Sequence, residues 1–235
     1  HNTYDRNKVW KNEILLWSDN VSKTPGLSRT HTNLGNAYAD IGVNSEAVKE
    51  FRKALELKTV MRKTGLSTLL HNAGVASDHI GDDEAARQYF IEALEVYPGR
   101  EDTLAILCQL YMEAGMYEKA YEELEERVKD ASKIRSIKLL RTYAIAMYHA
   151  GRIEKAQESA REILQKKPDD AEALPILAQS YRALGDVEKG KRAWQRYLEK
   201  RPTSLKAHLA LIELYAHTGE KTRLSEIAED LFCLS

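Results

Sequence analysis

His71, Asp78 and His79 are side chains able to ligate a metal, and Asn33, Asn36 and Asn72 are carboxamides able to grip a peptide backbone. The first possibility needs convergence. Residues seven and eight positions after His71 are spread along about 10 Å of helix, whereas ligands at i and i+4 meet at one point. The set is therefore read as polar lining, with no metal and no cofactor expected. The second possibility suits the residue type better, since each carboxamide carries both donors and an acceptor.

Other chemistries lack their motifs. There is no glycine-rich phosphate loop, no His-Glu-x-x-His, no nucleophile elbow and no calcium loop, so no catalytic residue is assigned. The run Glu122-Glu123-Leu124-Glu125-Glu126 reads as a solvated helix with Tyr121 and Leu124 on a buried stripe. Asp169-Asp170 after Pro168 reads as a helix-start cap, where a carboxylate meets free backbone donors. The formal net charge of −1 gives no field that would draw a polyanion, and nucleic acid is not expected as a partner. Cys108 and Cys233 lie too far apart for a bridge and lack paired ligands for zinc.

These residues sit on a regular scaffold. Gly42, Gly81, Gly115, Gly151, Gly185 and Gly219 are separated by 39, 34, 36, 34 and 34 residues. A period in this range is the mark of one supersecondary unit stacked on itself. Tyr38, Tyr111, Tyr181 and Tyr215 stand four residues before the glycine, Ala47, Ala86, Ala120 and Ala156 five after it. Pro98, Pro168 and Pro202 follow seventeen after. The unit reads as helix, Gly turn, helix, Pro turn: glycine accepts the left-handed conformation past a helix end, and proline cannot continue a helix.

The frame resembles the tetratricopeptide repeat. Its clearest carrier is Asn33-Leu34-Gly35-Asn36-Ala37-Tyr38 followed by Gly42, Ala47, Phe51 and Ala54. The resemblance implies an all-α, right-handed α-solenoid of tandem antiparallel helix pairs. On this register residues 1–27 form an N-terminal capping helical segment and 28–235 one solenoid of about six repeats, 28–61, 67–100, 101–134, 137–170, 171–204 and 205–235. The small position of the first helix is Gly35, Gly74, Ala144 and Ala178, but Cys108 and Ile212 in two units. Gly190 and Trp194 replace the usual Ala and Phe, as a volume exchange would. Five additional residues near Met61 to Leu66 are expected to lengthen a helix end or bulge a loop, and two more fall at Arg135 and Ser136.

In this family the first helix of each pair lines a concave face. That places Arg29, Thr32, Asn33, Asn36, Asp40, Thr68, His71, Asn72, Asp78 and His79 in the groove of the first two units, with Arg141, Gln179 and Arg182 further along. Asn33 and Asn72 hold equivalent places, similar to the asparagine ladder in the repeat region of O-GlcNAc transferase. A clamp for a terminal carboxylate is disfavoured. Asn36 and Asn72 fit its amide places, but Thr32, Asp102 and Ile106 stand where its cations belong, and a buried carboxylate without cations is costly. The resemblance implies a non-catalytic scaffold whose partner is a protein or peptide.

The opening segment adds context. Trp10, Ile14, Trp17 and Val21 follow helical spacing, as an amphipathic cap over an open stack end would. The stretch from Arg6 to Pro25 also resembles the junction between a polytopic, glycosyltransferase-like membrane body and a soluble tetratricopeptide tail. That likeness implies an extracytoplasmic, periplasmic-type location and a membrane-embedded parent, although no run here reaches the eighteen or so apolar residues of a span. The start at His1 rather than Met agrees with a piece of a longer protein.

Overall fold

The computed structural model describes residues 2–57, 61–128 and 134–232, with side chains from residue 13 onward. Among them every regular element is a helix. The chain divides into two compact units, 1–110 and 111–235.

In the first unit α1 (Asn2–Lys23) packs on α2 (Ser28–Asp40), which pairs with α3 (Asn44–Glu56); α4 (Lys63–His79) then stacks on α3 and pairs with α5 (Asp83–Val96). The next helix, α6 (Glu101–Glu113), carries the boundary between the units. The turns form where the glycines stand: Gly42 and Gly81 have φ of 79° and 78°. In that left-handed conformation their amides reach back to Ala39 and Asp78, closing the helix ends. The additional residues before the second pair go into the helix itself. The seventeen residues of α4 compare with thirteen in α2.

Each hairpin is drawn tight by two devices. Ser28 donates from Oγ to the Ala54 carbonyl at 2.7 Å, and Ser67, at the same frame position, donates to Ala93 at 2.9 Å. Gly35 and Gly74 lie under the rings of Phe51 and Phe90, which a Cβ on either glycine would meet at 2.6 Å. The small residue is thus what lets the aromatic ring fill the seam. Between α3 and α4, Ala47, Val48, Phe51, Leu69, Ala73 and Ala76 form one buried cluster.

On α1, Ile14, Trp17 and Val21 are half-buried while Leu15 and Leu16 are exposed. Trp10, also placed on that stripe, lies outside the described side chains. His31 ties the turn after α1 to the first pair, with Nδ1 2.6 Å from Glu50 Oε2 and Nε2 3.0 Å from the Pro25 carbonyl.

The second unit contains α7 (Tyr117–Arg127), α8 (Ile137–His149), α9 (Ile153–Lys166), α10 (Ala173–Ala183), α11 (Val187–Lys200), α12 (Leu205–Thr218) and α13 (Lys221–Phe232). Successive helices pack in chain order from α7 to α13, apart from a further α8 to α10 contact. Trp194 is buried beside Ala178, and Gly190 brings α11 close to α10, where an added Cβ would stand 3.3 Å from the Ala178 carbonyl. The acidic run on α7 has Ala120 and Leu124 buried, with Glu123 and Glu125 paired to Arg127 and Lys155. Cys108 is buried; Cys233 lies outside the described residues. Among the described residues no helix is long and apolar enough to cross a membrane.

Candidate functional site

Where α2 and α4 run side by side in the first unit, a cleft of about 440 Å³ opens at their C-terminal ends. Asn36 and Asp40 line it from α2, His71, Asn72 and His79 from α4, and Asn44 from the first turn of α3. Ala39, Val75 and Ala76 supply its apolar surface. The arrangement follows from helical period. Asn36 and Asp40 are four apart, as are His71, Val75 and His79, so each set stacks along one face.

Asn72 donates from Nδ2 to Oδ1 of Asn36 at 2.9 Å, which joins the first helices of two successive repeats. That bond fixes both amide planes. It leaves one donor, Nδ2 of Asn36, and one acceptor, Oδ1 of Asn72, without a hydrogen-bond partner among the described residues. A peptide group offers the complementary pair, a C=O and an N–H.

His71 is held in place by its surroundings. Its Nδ1 shares a 2.8 Å hydrogen bond with Thr103 Oγ1, its ring lies 5.7 Å from that of Phe90, and Nε2 is 4.0 Å from Asp102. His79, the last residue of α4, is exposed. Asp40, the last residue of α2, is also exposed and makes no ion pair among the described residues. Among those residues no group of three His, Cys, Asp or Glu side chains is arranged to hold a metal.

The cleft takes in only some of the residues expected in the groove. Arg29, Thr32, Asn33, Thr68 and Asp78 are not part of the cleft lining. Thr32 donates back to the Ser28 carbonyl, and Thr68 accepts from Arg100. Arg141, Gln179 and Arg182 belong to the second unit. There Arg141 pairs with Asp170 and Glu172, and Arg182 with Glu213 at 2.6 Å, so both arginines are already matched by carboxylates of their own unit. Asn44 is a lining residue that sequence reading did not single out; its signal was its place two residues after the turn glycine.

Asp170 does cap α10, accepting from the amides of Glu172 and Ala173 at 3.1 Å. Its carboxylate is completely buried. Burial alone would raise its pKa; the Arg141 guanidinium and the two backbone donors outweigh that and hold it below the usual carboxylate range. His149, the counterpart of His79 in this unit, stacks on Tyr117 at 4.3 Å. Loss of solvent and then the Lys206 charge depress its pKa.

Comparison with known proteins agrees with the fold. Tetratricopeptide repeat models match residues 28–59, 67–100, 144–189 and 177–223. Among solved structures, the C-terminal part of a repeat-containing protein from Cytophaga hutchinsonii superposes with a TM-score of 0.74 at 16% identity, covering 98% of this chain and 92% of that one. YrrB, described as a TPR protein with an unusual peptide-binding site, gives 0.71 at 16% identity, covering 83% and 96%. A protein O-mannosyl-transferase of Caenorhabditis elegans is 36% identical over 55 residues, which is 23% of this chain and 8% of that protein. The aligned stretch is thus a small part of that relative. Paired helices, left-handed glycines at the repeat period and these matches place the chain in the tetratricopeptide repeat family.

Proposed function

We propose that the chain is a non-catalytic protein-interaction domain that holds an extended peptide segment in the cleft between α2 and α4. One observation carries this reading: the Asn72 to Asn36 hydrogen bond, which orients the Asn36 Nδ2 group and the Asn72 Oδ1 acceptor beside a cleft of about 440 Å³. Carboxamides that bind main chain leave side-chain sequence weakly restricted, which suits a scaffold. The peptide-binding site described for YrrB, a protein of the same fold, supports the class of ligand. The testing experiment is capture of a random peptide library by the full chain and by Asn36→Ala plus Asn72→Ala. Loss of capture in a variant with unchanged melting supports the cleft, and undiminished capture rejects it.

A second reading makes this domain the regulatory or substrate-presenting part of a membrane-embedded, glycosyltransferase-like protein. The 55-residue likeness to a protein O-mannosyl-transferase is compatible with it. Apolar spans encoded upstream of His1 would support this arrangement, and a gene that specifies none on either side would remove it.

A further inference from the structure

We infer that the cleft selects a basic side chain, arginine ahead of lysine, on the peptide that occupies it; this rests on the peptide-binding reading and names the residue the partner must present. The lining contains a carboxylate, three carboxamides and two imidazoles, and no lysine or arginine. Asp40 is its only carboxylate, and among the described residues it makes no ion pair. Glu50 and Asp102 of the same unit differ from it, since Glu50 meets Lys53 and His31, and Asp102 meets Arg100.

Backbone dipoles act in the same direction. Two helices end at the cleft, α2 at Asp40 and α4 at His79, while one begins there, α3 at Asn44. Two negative helix ends against one positive end leave a net attraction for a cation. The nearest lysine or arginine on α2 is Arg29, eleven positions before Asp40 and so about 16 Å away along the axis.

The acceptors favour a fork over a point charge. Asp40 offers two oxygens, and Asn72 Oδ1 lacks a partner among the described residues. A guanidinium presents five donors in a plane and can reach a carboxylate and an amide oxygen together, where an ammonium serves them less well. An acidic side chain or a terminal carboxylate would meet Asp40 with like charge and is excluded. Arginine is thus the occupant whose charge and donor count both fit.

The test is selection of a random dodecapeptide phage library on the full chain, on Asp40→Asn and on Asn36→Ala plus Asn72→Ala. Binding of the selected peptides and their citrulline counterparts is then titrated by fluorescence anisotropy. The expected result is enrichment of arginine over its input frequency on the unmodified chain. Replacement of that arginine by citrulline should weaken binding roughly three- to tenfold, a penalty that Asp40→Asn abolishes. Peptides that bind through the Asn36–Asn72 pair without enrichment of basic residues, or with equal affinity after citrulline replacement, overturn the charge selection and leave the cleft reading intact. Selection that yields no peptide, or peptides indifferent to the double asparagine variant, overturns both.

Discussion

The ring of Phe51 occupies the space that a Cβ on Gly35 would fill, with Cε1 only 2.6 Å from that position. The same relation recurs between Phe90 and Gly74. Residues on opposite helices of a hairpin are therefore chosen together, one by removal of volume and one by its addition.

Gly35→Ala is expected to lower stability by about 1–2 kcal/mol. Overpacking against a buried ring costs roughly 1–3 kcal/mol, and the better helix propensity of alanine returns up to about 1. Phe51→Leu on the Gly35→Ala background should recover part of the loss. Urea denaturation of the two single variants and the double variant measures the coupling, and additive losses would show that the ring and the glycine are independent.

Ser77 is buried on α4 with a hydroxyl that has no hydrogen-bond partner among the described residues. An unsatisfied buried polar group costs about 1–3 kcal/mol, so its removal releases that penalty. Ser77→Ala should raise the urea midpoint by the equivalent of about 0.5–1 kcal/mol. A drop of similar size would show that the hydroxyl is satisfied in solution.

Asp170 couples stability to acid. Its native pKa is depressed, so it contributes stability that is complete above the pKa of an unfolded aspartate and is lost as pH falls through the native value. Glu50 acts in the same sense: burial raises its pKa, but the hydrogen bonds from Lys53 and His31 more than offset this. Asp170→Asn should cost roughly 2–4 kcal/mol near neutrality, because Arg141 loses its buried partner. It should also flatten the acid limb of a stability profile. Denaturation followed from neutral pH down to about 3 checks both effects, and parallel acid limbs would refute the assignment.

Lys191 is nearly buried, with its ammonium between Glu188 and Glu220 and over the Tyr215 ring. Burial lowers its pKa, yet the two carboxylates override this and raise it. Its contribution is thus complete below the pKa of an unfolded lysine and fades as pH rises through the native value. Lys191→Met should stay within about 1 kcal/mol of the parent, since an apolar residue of similar length needs no counter-charge. Lys191→Glu sets three carboxylates together and should cost upwards of about 2 kcal/mol. A thermal melt of each variant distinguishes them.

Asn33→Ala is expected to leave peptide capture unchanged, whereas Asn72→Ala should reduce it. Only the second residue lines the cleft. Equal losses in a capture assay would support a ladder of equivalent positions instead.

The repeat architecture was legible because a left-handed turn tolerates few residues, and glycine recurred where each turn forms. The site was legible in part. A frame built on equivalent positions pairs Asn72 with Asn33, but neighbouring helices touch through opposite flanks, and the residue that meets Asn72 is Asn36, one helical turn further along. Asp170 could be read as a cap from its local context. Its partner Arg141, 29 residues upstream, depends on how α8 and the start of α10 pack, which no local pattern encodes.

The hydrogen bond between the carboxamides of α2 and α4 has a thermodynamic corollary. Linear repeat arrays melt according to the strength of coupling between adjacent modules. Any molecule that engages Asn36 and Asn72 together adds its binding energy to that coupling, so occupancy should fuse two modules into one cooperative block and slow amide exchange in both at once.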